Sequence, residues 1–179
     1  LSGDRVGLVA FAGNTFDLCP LTRDYETVLS FVDLLSSDLI ENQGTDFEIL
    51  LESVWQKFSA QKTTAKNKML FILSDGENQD ADFASSLAKF RNSGFRIFTF
   101  GFGSKEGVPI LESNGALKKD AAGNLVLTRL GVETMQKIAQ ETGGTFSHIT
   151  YSLWSLGNFF EKNIRHQFES TTQLNSKER

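Results

Sequence analysis

Cysteine occurs once, at Cys19, which excludes a disulfide within the chain and any cysteine-rich zinc site. Its place beside Pro20 fits a buried, inert thiol better than a nucleophile. Histidine occurs twice, at His148 and His166, and neither has a cysteine or a second histidine at ligand spacing. Both read as structural or surface residues. Positive charge is short as well: 18 Lys and Arg stand against 22 Asp and Glu, a net charge of −4. That balance argues against nucleic acid as a partner, because nucleic-acid binding wants a basic face. No apolar run approaches the roughly 20 residues of a membrane helix. The chain opens without a basic-then-apolar leader, so any signals for export or anchoring are expected outside it. Internal repeats and low-complexity segments are absent too.

What is present is ordinary globular material. The 179 residues are 40% hydrophobic and 22% charged, enough for one domain with a sizeable core. Phe is frequent, at 16 against 2 Tyr, a bias that points to dry core packing. Apolar runs at Val6–Ala12, Met69–Leu73, Phe95–Phe102 and Thr145–Thr150 read as strands. Phe16–Leu21 reads as a further strand after a turn at Gly13-Asn14-Thr15, and Pro20 places it at a sheet edge. In the strand Phe95–Phe102, Arg96 and Thr99 predict one less buried face or end.

Helical spacing predicts helices from Thr22 to about Leu35, over Asp46–Phe58, over Ala81–Asn92 and over Val132–Thr142. The first carries Val28, Phe31, Val32 and Leu35 as its stripe, with Thr22 as its cap. Leu153, Leu156, Phe159, Phe160, Ile164 and Phe168 form the stripe of a closing helix. Gly107–Leu130 breaks the rhythm and reads as an inserted hairpin around Asp120–Asn124, with a basic cluster of Lys118, Lys119 and Arg129. That cluster is a solvated face or a partner surface. The expected class is therefore α/β: a doubly wound, mostly parallel sheet with one antiparallel edge strand and an inserted hairpin. The domain is expected over residues 1–169, with 170–179 a polar tail or linker.

One stretch invites a functional reading. The apolar run Met69–Leu73 has the composition of a strand buried on both faces, and it stops at Ser74-Asp75-Gly76-Glu77-Asn78. An acid at the end of a buried parallel strand sits in the crevice where open α/β sheets bind ligands. The plain alternative is a turn and a solvated helix start. Gly101, Gly103 and Gly107 lack the G-x-G-x-x-G spacing of a phosphate loop, so a nucleotide site is not expected there.

Three segments, GDRVGLVAFAG at Gly3–Gly13, NQGTD at Asn42–Asp46 and LSDGEN at Leu73–Asn78, together resemble a von Willebrand factor type A domain. The segment Gly107–Leu130 and the helix after it resemble the Bat-type aerotolerance subgroup. The resemblance implies a metal-ion-dependent adhesion site that holds Mg²⁺, or Mn²⁺ or Ca²⁺, for a partner's carboxylate. Thr45 and Asp75 match two of its ligands, and Gly44, Gly76, Glu77 and Asn78 would flank it as partner contacts. Hard oxygen donors with few carboxylates suit Mg²⁺. No Asp-x-Ser-x-Ser motif occurs, so the third ligand loop and the central first strand are missing from this chain.

Two readings follow from that gap: a piece of a longer protein, or a degenerate domain whose sheet closes differently. With two ligands alone, metal is expected to bind weakly or not at all. Exposed edges on the Val6–Ala12 and Met69–Leu73 strands could also pair copies of the chain. The resemblance further implies a periplasm-facing domain of a bacterial inner-membrane protein, reaching the membrane through segments outside this chain. It implies other Bat proteins and a MoxR-type AAA ATPase as partners. The rival readings are a metal-dependent phosphohydrolase using Asp75, which lacks a recognisable second acid–base group, and a structural scaffold with a vestigial metal site.

Overall fold

A computed structural model of the chain describes residues 3–36, 44–60, 65, 67–77, 82–110, 115–120, 122–149 and 164. Its contacts fall into two compact units, Leu1–Thr64 with Glu77–Asn92, and Ala65–Gly76 with Ser93–Arg179. Each is taken by itself.

The first unit opens with a hairpin of β1 (Val6–Phe11) and β2 (Thr15–Thr22), antiparallel with Val9 opposite Asp17 and Phe11 opposite Thr15. The Ala12 amide donates to the Asn14 carbonyl at 2.8 Å and closes the turn. Among the described residues β2 pairs with β1 alone, so Pro20 does sit on an edge, and Cys19 is buried. Helix α1 (Tyr25–Asp33) starts later than Thr22. Its cap is Asp24, whose carboxylate accepts from the Thr27 amide at 3.0 Å and is held below the usual carboxylate range by its hydrogen bonds to Thr27. Thr22 instead accepts from the Asp24 amide. The predicted α1 stripe is covered only in part, since Val28 is buried while Val32 and Leu35 are exposed.

Helix α2 (Phe47–Ala60) and helix α3 (Ala84–Asn92) carry the core of this unit, with Phe47, Leu51, Leu87 and Phe90 fully buried. Phe47 packs between Phe11 and Phe83 at 5.8 and 6.3 Å between ring centroids, and Trp55 meets Phe90 edge-on at 5.6 Å. Aromatic pairs at such angles add to the energy of area burial.

Glu52 of α2 lies against Lys89 and Ser86 of α3, and Ser86 also donates to Glu48 at 2.9 Å. Lys89 first and Ser86 second hold the Glu52 carboxyl below its ordinary 4.5. A depressed carboxyl stabilises the fold fully above its unfolded value and loses that contribution as pH falls through its folded value. The Glu52 and Lys89 side chains are 30% and 40% exposed, so screening limits the effect. Glu52→Gln should therefore lose about 0.5–1 kcal/mol of stability at pH 7. The gap to the parent should close as urea unfolding is repeated toward and below pH 4. A gap that is constant with pH would refute the assignment.

The second unit holds a parallel sheet of β3 (Lys68–Ser74), β4 (Phe95–Phe102) and β7 (Phe146–Ile149), in the order β3-β4-β7. Phe71 stands opposite Phe98, and Phe102 opposite Ile149. Between β4 and β7 in sequence come β5 (Val108–Pro109), β6 (Leu127–Thr128) and α4 (Val132–Glu141). On one face of this sheet Ile72, Ile97 and Thr99 are buried with Met135, Ile138 and Ala139 of α4. The other face carries Phe98 and Phe100, which cluster with Ile149 and Ile164.

Two expectations fail here. β3 is not buried on both faces: Ile72 is buried, but Phe71 is 36% and Leu73 52% exposed. Among the described residues β3 pairs with β4 alone, so its apolar composition exceeds the cover it receives. Thr99 does not mark a wet face either. It is fully buried because its hydroxyl donates to the Met135 carbonyl at 2.8 Å, which removes the penalty of burying it. The closing helix, apart from Ile164, and the tail 170–179 lie outside the described residues, as does His166.

Candidate functional site

Asp75 stands where β3 ends, at the carboxyl edge of the parallel sheet. Its backbone is anchored there, since the Asp75 carbonyl accepts from the Gly131 amide at 2.8 Å. Gly131 is the cap residue of α4, and its own carbonyl accepts from the Met135 amide at 3.2 Å. The first turn of α4 is thus bonded to the loop that carries Asp75. Ser74 tightens the same loop by accepting from the Gly76 amide at 3.0 Å. Gly76 has φ +74°, and a Cβ there would lie 2.7 Å from both the Gly131 carbonyl oxygen and Met135 Cγ. Both the conformation and the space demand glycine.

The end of β4 is fixed in the same region of the sheet edge. Gly103 has φ +122°, its carbonyl lies 2.8 Å from His148 Nε2, and the Ser104 carbonyl accepts from the Leu130 amide at 2.9 Å. A carbonyl oxygen only accepts, so Nε2 is the donor of this bond. The Ser104 hydroxyl donates to Glu106 at 2.7 Å and is the main cause holding that carboxyl below its ordinary range. Gly101 belongs to packing and not to a phosphate loop: a Cβ there would meet Leu130 and Phe146 at 2.8 and 2.9 Å.

Thr45 belongs to the first unit. Gly44 before it has φ +116°, and the Asp46 amide donates to the Ala12 carbonyl at 3.2 Å, tying the loop to the end of β1. Thr45 is not the cap of α2. That position falls to Asp46, whose carboxylate accepts from the Ile49 amide at 3.0 Å. Among the described residues the half-buried Thr45 side chain makes no hydrogen bond. Thr45 thus lies in the loop before α2 in one unit, and Asp75 at the end of β3 in the other. Glu77 does not start a helix, because α3 begins at Ala84 with Asp82 accepting from the Ala84 amide. Asn78 lies outside the described residues.

A hydroxyl and a carboxylate are the right kind of donors for a hard cation, but two oxygens are too few to hold one by themselves. Among the described residues no group of three or more His, Cys, Asp or Glu is placed to hold a metal. Sequence reasoning missed Gly131, which clamps the Asp75 loop, and Leu130, which is tied to Ser104. Nothing in their spacing announces a bond to a strand so far upstream.

No curated protein matches the chain in sequence at a significant level. Among solved structures, the chain is similar to a conserved hypothetical protein BatB from Bacteroides thetaiotaomicron, with a TM-score of 0.81 and 26% identity over 90% of this chain and 78% of that one. It is similar to an aerotolerance-related membrane protein from Bacteroides fragilis, with a TM-score of 0.80 and 26% identity over 90% and 80%. A von Willebrand factor type A structure from Catenulispora acidiphila, 18% identical with a TM-score of 0.60 over 87% of this chain and 32% of that one, shares the fold. No helix among the described residues is long and apolar enough to cross a membrane. Domains of this type generally mediate interactions and are not typically enzymes. The model of the von Willebrand factor type A domain matches residues 2–143, and the chain belongs to that family.

Proposed function

We propose that this domain is a protein-interaction module that recognises its partner at the carboxyl edge of the sheet, with Thr45 and Asp75 as two oxygen donors toward a divalent cation. Mg²⁺ is the first choice, with Mn²⁺ or Ca²⁺ as substitutes. The observation that supports it is the placement of Asp75 at the end of β3, on a loop bonded through its backbone to α4. A cation there would bridge to a carboxylate on the partner. Within each unit this chain's residues would hold one donor loop: Gly76 and Gly131 fix the Asp75 backbone, and Asp46 ties the Thr45 loop to the residue after β1. The remaining coordination positions fall to water, to the partner and to donors outside this pair.

The likeness to an aerotolerance-related membrane protein supports a membrane-associated setting. The proposal extends to a periplasm-facing domain working with other Bat proteins and a MoxR-type AAA ATPase.

Isothermal titration of the 179-residue chain with Mg²⁺ and with Mn²⁺ tests the donor count. The expected dissociation constant is in the range of about 1 mM or weaker, as for cation sites built from few charged ligands. Asp75→Ala should remove the residual heat. A micromolar isotherm, or one indifferent to Asp75→Ala, would refute the assignment.

A further inference from the structure

Asp75 and Gly76 form the one Asp-Gly link in the sequence. An aspartate followed by glycine has a reaction of its own open to it. The nitrogen of the next residue can bond the side-chain carbonyl carbon, because glycine carries no side chain to block the approach. At this link the Gly76 nitrogen would bond Asp75 Cγ and close a cyclic imide. One carboxyl oxygen leaves as water, taking the Gly76 amide proton and a proton from the medium. Water then reopens the ring at either carbonyl. Opening at Cγ restores aspartate. Opening at the old main-chain carbonyl gives isoaspartate, in which the chain runs through Cβ and Cγ and the former carbonyl is a free carboxylate.

The fold holds the reacting peptide unit at both ends. Its carbonyl, that of Asp75, accepts from the Gly131 amide at 2.8 Å. Its N–H, that of Gly76, donates to the Ser74 hydroxyl at 3.0 Å. The same hydroxyl lies 3.5 Å from Asp75 Oδ1, so it contacts both reacting groups. Ring closure needs the Gly76 nitrogen eclipsed with Asp75 Cβ about the Cα–C bond, a ψ outside the ordinary wells of an L residue. From the end of β3 the peptide unit must therefore turn, and turning it breaks the bonds to Gly131 and Ser74 together. The Gly76 N–H must also lose its proton while Ser74 engages it. Gly76 is buried and Asp75 half-buried, which further restricts the turn.

We propose that Asp75-Gly76 is a latent modification site, an isoaspartate-forming link that its bonds to Gly131 and Ser74 keep closed in the folded domain. Ser74 is its positioning residue. The inference goes beyond the cation reading and does not depend on it, since the reaction uses only the carboxyl group, the main chain and water. Conversion would end the site as described. The carboxylate would move to another carbon, the backbone would gain an atom, and the peptide unit that Gly131 clamps would no longer exist.

The full chain is kept at one neutral pH with a chelator, either folded or in guanidinium chloride. The two isomers of the peptide carrying residue 75 are then separated by liquid chromatography over time. Isoaspartate should form about tenfold or more slowly in the folded parent than in denaturant, because the link must first open. Ser74→Ala should speed the folded reaction about threefold or more, the worth of one lost hydrogen bond, and Ser74→Thr should return it to the parent rate. In denaturant all three should react alike. Gly94→Ala strains the same unit away from the link, so its folded rate should match the parent and exclude general destabilisation as the cause. As isoaspartate accumulates, the Gly131 amide should lose its slow exchange in proportion. The proposal is overturned if denaturant yields no isoaspartate, if folded and unfolded rates are equal, or if Ser74→Ala reacts at the parent rate. It is equally overturned if Ser74→Thr or Gly94→Ala reacts as fast as Ser74→Ala, or if Gly131 exchange ignores the conversion.

Discussion

Gly144→Ala should cost more than about 3 kcal/mol, enough to disrupt the second unit, with the loss read by urea unfolding. A Cβ at this position would lie 1.9 Å from the Ile97 carbonyl oxygen and 2.6 Å from its carbon. Ile97 is fully buried in β4 and cannot yield, because hydrogen bonds hold the strand on either side of the contact. The Ile97 amide donates to the Thr142 hydroxyl at 3.0 Å, and the Thr99 amide to the Thr145 carbonyl at 3.2 Å. The chain from α4 into β7 is therefore stitched to β4 at a distance that only a missing side chain allows. Gly143 is the matched control. It has φ +71° but nothing within 4 Å of its would-be Cβ, so Gly143→Ala should show only the conformational cost of about 1–2 kcal/mol. Equal losses in the two variants would refute the close-approach argument.

Gly76→Ala carries the second large effect, and it bears on the candidate site. Here the positive φ and the collision act together, since the Cβ would press on the Gly131 carbonyl oxygen and on Met135 Cγ, both at 2.7 Å. The expected loss is about 2–4 kcal/mol, against about 1–2 kcal/mol for Gly94→Ala. Gly94 has the same φ of +74° with no atom within 4 Å of its Cβ position. The displacement should also be visible locally. In the parent the Gly131 amide is bonded to the Asp75 carbonyl, so it should exchange slowly with solvent. In Gly76→Ala that protection should fall by about tenfold or more, corresponding to at least about 1.4 kcal/mol of local opening. Unchanged exchange at Gly131 would show that the Asp75 loop is not clamped by α4.

Much of the element order is legible in the chain because periodicity and turn residues report local physics. Phe95–Phe102 and the hairpin of β1 and β2 follow directly from apolar runs punctuated by glycine and asparagine. The errors occur where a local signal has a nearby competitor. Thr22 and Asp24 are both good caps, and the helix takes Asp24 because its carboxylate reaches the Thr27 amide. Burial is a different matter. Thr99 looks like a wet position until the Met135 carbonyl is seen to accept its hydrogen bond. Phe71 and Leu73 look like core until β3 is seen to pair with β4 alone among the described residues.

By itself the sequence determined the α/β class, the family and the acid at the end of β3, because these depend on which residues follow which. Only the tertiary structure decided what holds that acid: Gly131 is distant in the chain and reaches Asp75 through a backbone bond that no side-chain pattern encodes. It alone decided which glycines are indispensable, since Gly143 and Gly144 are neighbours in sequence but only one lies against the backbone of β4. It also decided that Pro109 stands opposite Leu127 and Lys119 opposite Leu125, because strand register, and not composition, sets which side chains share a side.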